Sequence, residues 1–214
     1  EVSAPAGYVT SSERVKVVVN DNTTVSTYTL KNKKISVKIA KVDADTKEFV
    51  SGATLELLNS NYEVVDTWTT GNDYQMFNDL DEGIYYIKEV SAPAGYVIND
   101  SLESFTIDEE NPNVEVSFKN KKTVVKLGKV DVSTGKYIAG ATLKLSRVDG
   151  GMEDITFISE DKATVFRGLA AGSYILEEIS APAGYVGNDS NITFDIDAAG
   201  NTKNVALKSE FISI

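Results

Sequence analysis

The chain of 214 residues contains no cysteine and no histidine. Without Cys there is no disulfide, no thiolate nucleophile and no thiolate metal ligand. Without His, the usual general base, the triads built on it and the commonest transition-metal ligand are missing. Basic residues are also short of acidic ones, 21 against 32, and the net charge of -11 would repel nucleic-acid phosphates. No apolar run reaches membrane-spanning length, so no membrane insertion is expected. What remains for chemistry is amine, carboxylate, amide and hydroxyl. A glycosidase-like pair of acids stays open on composition alone. No cofactor and no metal is expected.

Hydrophobic residues make up 42% of the sequence, enough for real cores. An internal repeat sets the organisation. "KIAKVDADTKEFVSGATLELL" at 38–58 returns as "KLGKVDVSTGKYIAGATLKLS" at 126–146. "KEVSAPAGYV" at 88–97 returns as "EEISAPAGYV" at 177–186, and the chain opens on a further copy, "EVSAPAGYV", at 1–9. Lys41 and Lys129 are 88 residues apart, as are Pro5 and Pro93, while Pro93 and Pro182 are 89 apart. This period predicts one complete domain over 34–121, a second over 122–214, and before them, at 1–33, the C-terminal part of an incomplete one. Neighbouring repeats are then each other's first partners.

Each repeat reads as all-β. "ISVKIAKVD", "ATLELLN", "YEVVDTWTT", "GIYYIKEV", "ESFTID" and "NVEVSFKN" are short, rich in β-branched and aromatic residues, and mostly alternating. Turn signals such as "DADTKE", "DLDEG" and "APAG" separate them, and "RVDGGMED" reads as a hairpin tip. Short antiparallel strands of this kind predict tandem immunoglobulin-like β-sandwiches in a rod-like array. In the leading segment, "RVKVVV" and "VSTYTLKN" are expected to be two strands that need a partner to cover their apolar face, either the front half of their own domain or another chain completing residues 1–32.

Strand periodicity puts polar residues where core is expected. Residues two apart share a face. Glu89 therefore shares one with Tyr85 and Ile87, and Glu178 with Tyr174 and Leu176. Lys41 follows Val37 and Ile39, Lys129 follows Val125 and Leu127, and Asn120 follows Val114, Val116 and Phe118. Buried charges must answer one another. One reading is a Lys–Glu ion pair with Asn as hydrogen-bond partner, which pins strand register. The other uses the burial: desolvation neutralises both groups, the amine attacks the Asn carboxamide, and the Glu shuttles protons while ammonia leaves. The faces alone do not choose between them.

The paired motifs "KVDADTKEFVSGATLELL" and "YYIKEVSAPAGY" resemble the Cna B-type domain, also called SpaA-type or prealbumin-like, of Gram-positive surface adhesins and pilins. The resemblance covers essentially the whole chain. It implies a β-sandwich stalk domain with an intramolecular isopeptide bond, in which Lys41 is the amine, Glu89 the catalytic acid and Asn120 the carbonyl partner. The other sets are incomplete. Glu89 and Asn120 are 31 residues apart, as are Glu1 and Asn32, but 31 residues after Glu178 stands Ser209. Lys129 and Glu178 thus have no carboxamide in register, and Glu1 and Asn32 have no Lys strand.

The resemblance further implies an extracellular, cell-wall-anchored stalk or spacer with single-turnover chemistry, hence not an enzyme. The alternative is an adhesin module recognising a host matrix protein or glycan as surface ligand. Trp68 with Tyr62 and Tyr74 is the candidate sugar platform, against a core role for the Trp. Asp43, Asp45, Asp195 and Asp197 lack EF-hand spacing and read as turn residues. The glycosylation patterns at 22–24, 99–101, 188–190 and 191–193 are the kind that turn-rich sequence produces freely.

Overall fold

The computed structural model describes residues 1–19, 21, 27–187, 191–200 and 202–212. Sixteen strands make up the regular structure: β1 (Tyr8–Val9), β2 (Lys33–Lys34), β3 (Ser36–Asp43), β4 (Thr54–Leu58), β5 (Val64–Thr69), β6 (Gln75–Phe77), β7 (Gly83–Ser91), β8 (Glu103–Ile107), β9 (Asn113–Asn120), β10 (Val124–Asp131), β11 (Thr142–Arg147), β12 (Ile155–Ile158), β13 (Thr164–Arg167), β14 (Gly172–Ser180), β15 (Ile192–Ile196) and β16 (Lys203–Ser209). There is no helix among the described residues. The chain divides into two compact units. One comprises Glu1–Ser91 with Asn99–Lys119; the other comprises Ala92–Ile98 with Asn120–Ile214.

In the first unit a three-stranded sheet, β6-β3-β9, faces a four-stranded sheet, β5-β4-β7-β8. Alternation along the strands fills the space between them with Val37, Ile39, Leu55, Leu57, Ile87, Ile107 and Phe118, all buried. In the second unit the sheets are β13-β10-β16 and β12-β11-β14-β15, around Leu127, Leu143, Leu145, Tyr174, Leu176 and Leu207. The fold is thus the all-β sandwich that the strand pattern predicts, twice over. β10 and β16 run parallel over seven pairs, with Lys129 opposite Leu207 and Asp131 opposite Ser209.

A bulge in the larger sheet of each unit aims the site. Thr54 pairs with Ser91 but the next residue, Leu55, pairs with Glu89, so Val90 is skipped. Thr142 and Leu143 do the same against Ser180 and Glu178, skipping Ile179. Inserting one unpaired residue lets the strand continue while the acid stays on the inward face. Val90 and Ile179 turn out to solvent instead.

The leading segment, whose two strands are expected to need a partner, forms little regular structure among its described residues. β1 pairs with β2 through Tyr8–Lys34 and Val9–Lys33 only. Residues 14–19 and 27–32 hold no strand, and Val17, Val18, Val19, Tyr28 and Leu30 are exposed. The apolar alternation in "RVKVVV" and "TYTLKN" is real, but a hairpin with no third strand to cover it is marginal in water. The rest of "VSTYTLKN" and the patterns at 22–24 and 188–190 lie outside the described residues.

Candidate functional site: buried lysine–glutamate pairs

In the first unit β3 and β7 lie in opposite sheets and point Lys41 and Glu89 into the same interior. Lys41 Nζ stands 3.3 Å from Glu89 Oε1, and both side chains are fully buried. The other Glu89 oxygen, Oε2, accepts the backbone N–H of Asn99 at 2.6 Å. The ammonium also lies 4.4 Å from the centre of the Phe118 ring. Burial pulls the Lys41 pKa down from 10.5 to about 8, with Glu89 holding it from falling further. Near neutral pH the amine is therefore within reach of its nucleophilic form. Asn120 ends β9, buried on the same face as Val116 and Phe118, and β9 is the hydrogen-bonded neighbour of β3.

The second unit repeats the arrangement up to its last member. Lys129 Nζ lies 2.9 Å from Glu178 Oε2 with the lysine side chain fully buried. The ammonium also donates to the Lys208 carbonyl at 3.4 Å. Ser209 is buried at the end of β16, where its hydroxyl donates to the Val186 carbonyl at 3.1 Å. An alcohol carries no acyl group, so this unit holds amine and acid but no carboxamide at that position.

In the leading segment, Asn32 Nδ2 donates to Glu1 Oε2 at 2.6 Å and to the Val9 carbonyl at 3.0 Å. The Ser11 N–H adds a bond to the same Glu1 oxygen at 2.9 Å. Ser11 and Asn99 each stand ten residues after their glutamate. Sequence reasoning missed this backbone clamp, because a main-chain donor leaves no side-chain signature. Only the recurring offset hints at it. The ring of Phe118 beside Lys41 was legible as a core residue, but not as a neighbour of the amine.

Of the remaining candidates, Trp68 and Tyr74 line one cavity together with Lys41, whereas Tyr62 lies elsewhere. Trp68 packs edge-on against Phe77 at 5.4 Å beside the core, Tyr74 meets Phe49, and Tyr62 stacks on Tyr86. Asp43 caps its turn, its Oδ1 accepting the N–H groups of Asp45 and Thr46. Asp195 accepts the Ser173 hydroxyl at 2.6 Å. Among the described residues no group of acids converges in a way that would hold a metal.

A family model described as a prealbumin-like fold domain (SpaA) matches residues 35–122 and again 123–210. Serine-aspartate repeat-containing protein D of Staphylococcus aureus is 29% identical over 196 residues, covering 78% of this chain and 14% of that protein. The trypsin-resistant surface T6 protein of Streptococcus pyogenes is 30% identical over 88 residues, covering 41% of this chain and 16% of its own length. The chain thus spans about a seventh of the curated relatives it matches. Among solved structures, the Bacillus anthracis TIE protein superposes with a TM-score of 0.50 at 27% identity, covering 85% of this chain and 35% of that one.

Proposed function

Because the chain belongs to the SpaA family of prealbumin-like fold domains, we propose that it is part of the extracellular stalk of a Gram-positive surface adhesin or pilus-like protein, and that its first sandwich, β3 to β9, closes an isopeptide bond between Lys41 and Asn120 with Glu89 as proton shuttle. The observation that carries the cross-link is the Lys41–Glu89 pair, fully buried and 3.3 Å apart. Burial lowers the Lys41 pKa from 10.5 to about 8, which supplies a neutral, nucleophilic fraction of the amine near neutral pH.

The neutral amine of Lys41 attacks the carboxamide carbon of Asn120, and the carbonyl oxygen takes up charge as the tetrahedral intermediate forms. Glu89 receives the proton that the nitrogen loses and returns one to the departing amino group. One C–N bond forms, one C–N bond breaks, and one ammonia leaves. The repeat relation supports the reach. In the second unit, Lys129 and Asp131 face Leu207 and Ser209 across a parallel ladder. The equivalent pairs in the first unit are Lys41 with Phe118 and Asp43 with Asn120. The Lys41 side chain then has to lean along the strand by one inward position only.

A stalk gains from such a bond because it joins the first and last strands of a sandwich. In the chain-entropy description, closing a loop of this length adds ~4–5 kcal/mol. No reductant opens it, which suits an exported protein that has no cysteine. Wall anchoring would belong to a region outside these residues. The test is the intact mass under denaturing conditions. Wild type is expected to be one ammonia lighter than its sequence, and Glu89→Ala to have the full mass. A wild-type mass equal to that calculated would end the cross-link reading.

A further inference from the structure

Tyrosine is the oxidisable side chain that this sequence holds in number: ten, against two methionines, one tryptophan and no cysteine. Two of the ten meet on the outer face of the first unit. The rings of Tyr62 and Tyr86 stack with their centroids 4.8 Å apart and their planes 25° from parallel. Among the described residues no other two tyrosines stack on each other. Their hydroxyls are hydrogen-bonded, which raises the Tyr86 pKa above its ordinary 10.0. The carbons ortho to the two hydroxyls are therefore neighbours as well. Tyr62 is 59% exposed, more than any other described tyrosine, and Tyr86 is half-buried.

The turn between β4 and β5 holds Tyr62 in this place. Asn59 Oδ1 accepts the N–H groups of Asn61 at 2.9 Å and Glu63 at 3.0 Å, and Asn59 Nδ2 donates to Glu63 Oε2 at 2.9 Å. The Tyr62 N–H closes the turn on the Asn59 carbonyl at 2.9 Å. Tyr62 itself has φ +61°, a left-handed conformation that a residue with a Cβ keeps only where its surroundings fix it. On β7, Tyr86 pairs with Leu58 of β4, and the alternation that buries Tyr85 and Ile87 turns Tyr86 outward. The Tyr62 ring thus folds back over the end of β4 to reach it. The second unit has neither member: Ser146 pairs with Ile175 at the corresponding place, and the hairpin tip at 147–154 has no aromatic residue.

We propose that Tyr62 and Tyr86 are a site of oxidative modification, joined as bityrosyl when hydrogen peroxide acts on the chain through a haem peroxidase. Each phenol gives up one electron and its hydroxyl proton. The two tyrosyl radicals couple through one C–C bond between ortho carbons, and the ortho hydrogens move to the oxygens as the rings regain aromaticity. Two electrons and two protons leave in all, and they reduce one hydrogen peroxide to two waters. Rings already stacked need no encounter between molecules, so coupling within the chain outruns coupling between chains in dilute solution. The product ties the β4–β5 turn to β7 by a carbon–carbon bond. This site does not depend on the Lys41–Asn120 reading, because it uses neither residue.

The test treats the dilute full chain with hydrogen peroxide and a haem peroxidase, then maps the monomer. Trypsin cuts after Lys47 and Lys88, so one peptide, 48–88, carries both tyrosines. That peptide is expected to be two hydrogens lighter, to stay joined after further cleavage at Glu63, and to fragment with Tyr62 linked to Tyr86. Tyr62→Phe and Tyr86→Phe each keep a ring in the stack but remove a phenol, and each should lower the blue bityrosyl fluorescence of the monomer by ~tenfold or more. Tyr137→Phe removes an exposed phenol from the other unit and should leave that signal unchanged. A wild-type peptide of full mass overturns the proposal, as does a link from Tyr62 to any other tyrosine or an equal signal in all three variants. Bityrosyl found chiefly in dimers overturns it too, since the stack then confers no advantage. Lys41 and Asn120 lie outside peptide 48–88, so loss of ammonia between them is read separately.

Discussion

Lys41 is a buried amine, and its protonation bears on the proposed reaction and on the stability of the sandwich around it. In an Asn120→Ala variant the amine survives, with its folded pKa held at about 8 against 10.5. Between those values the unfolded chain binds more protons than the folded one, so stability from this group rises with pH across the window and is flat below it. Urea midpoints of Asn120→Ala, compared with the Lys41→Met/Asn120→Ala double variant, are expected to separate upward from pH ~8. A midpoint difference that falls across that range would contradict the burial effect. Ser209 gives the complementary expectation. Ser209→Asn places a carboxamide two positions beyond Leu207, the residue opposite Lys129, and a protein lighter by a second ammonia should result. A mass unchanged by the substitution would mean that the end of β16 does not bring the carboxamide to Lys129. At this scale the sequence was informative because strand faces alternate strictly, so three polar residues at inward positions stood out. The Asn99 N–H that fixes Glu89 did not, since every residue but proline owns one.

At the scale of elements, a small buried hydroxyl in each unit ties the sheets' connecting segments alongside the apolar core. Thr70 Oγ1 accepts the Ala53 N–H at 3.0 Å and donates to the Val50 carbonyl at 2.9 Å. Ser159 makes the same two bonds to Ala141 and Ile138 in the other unit. Thr70→Val strands both backbone groups and is expected to cost ~1–3 kcal/mol in chemical denaturation, whereas Thr70→Ser should cost far less. Equal losses for the two variants would show that packing of the methyl, not the hydroxyl, matters. Nearly every core strand was legible from alternation and turn residues. The bulges at Val90 and Ile179 were not, because skipping one residue leaves no compositional mark. Residues 14–19 illustrate the need for a partner that the sequence implies. Their alternation suits a strand, but strands form in sheets, and local pattern cannot supply a neighbour.

For the whole molecule, the two sandwiches differ in the last member of the shared set, Asn120 in one and Ser209 in the other. If Lys41 is joined to Asn120 and Lys129 is joined to nothing, calorimetry should resolve two transitions, the lower belonging to the unit of Asn120–Ile214. Glu89→Ala is then expected to bring the upper transition down toward the lower, which itself stays in place; a single unchanged transition would refute it. The repeated glycine loop carries a different consequence. In each copy of the "SAPAGY" loop the glycine carbonyl accepts the N–H of the residue 28 positions on, Ile35 at Gly7, Thr123 at Gly95 and Ile212 at Gly184, and in the first two the glycine also meets a turn carbonyl, of Asn78 and of Gly168. Excising residues 36–123 would join Ile35 to Val124 and bring the Gly7 loop opposite Gly168, a junction chemically equivalent to the one lost. Gain or loss of one whole period would therefore leave the chemistry of that junction in place. On the stalk reading, length becomes a quantity that can change in whole steps without redesigning the contacts at the join.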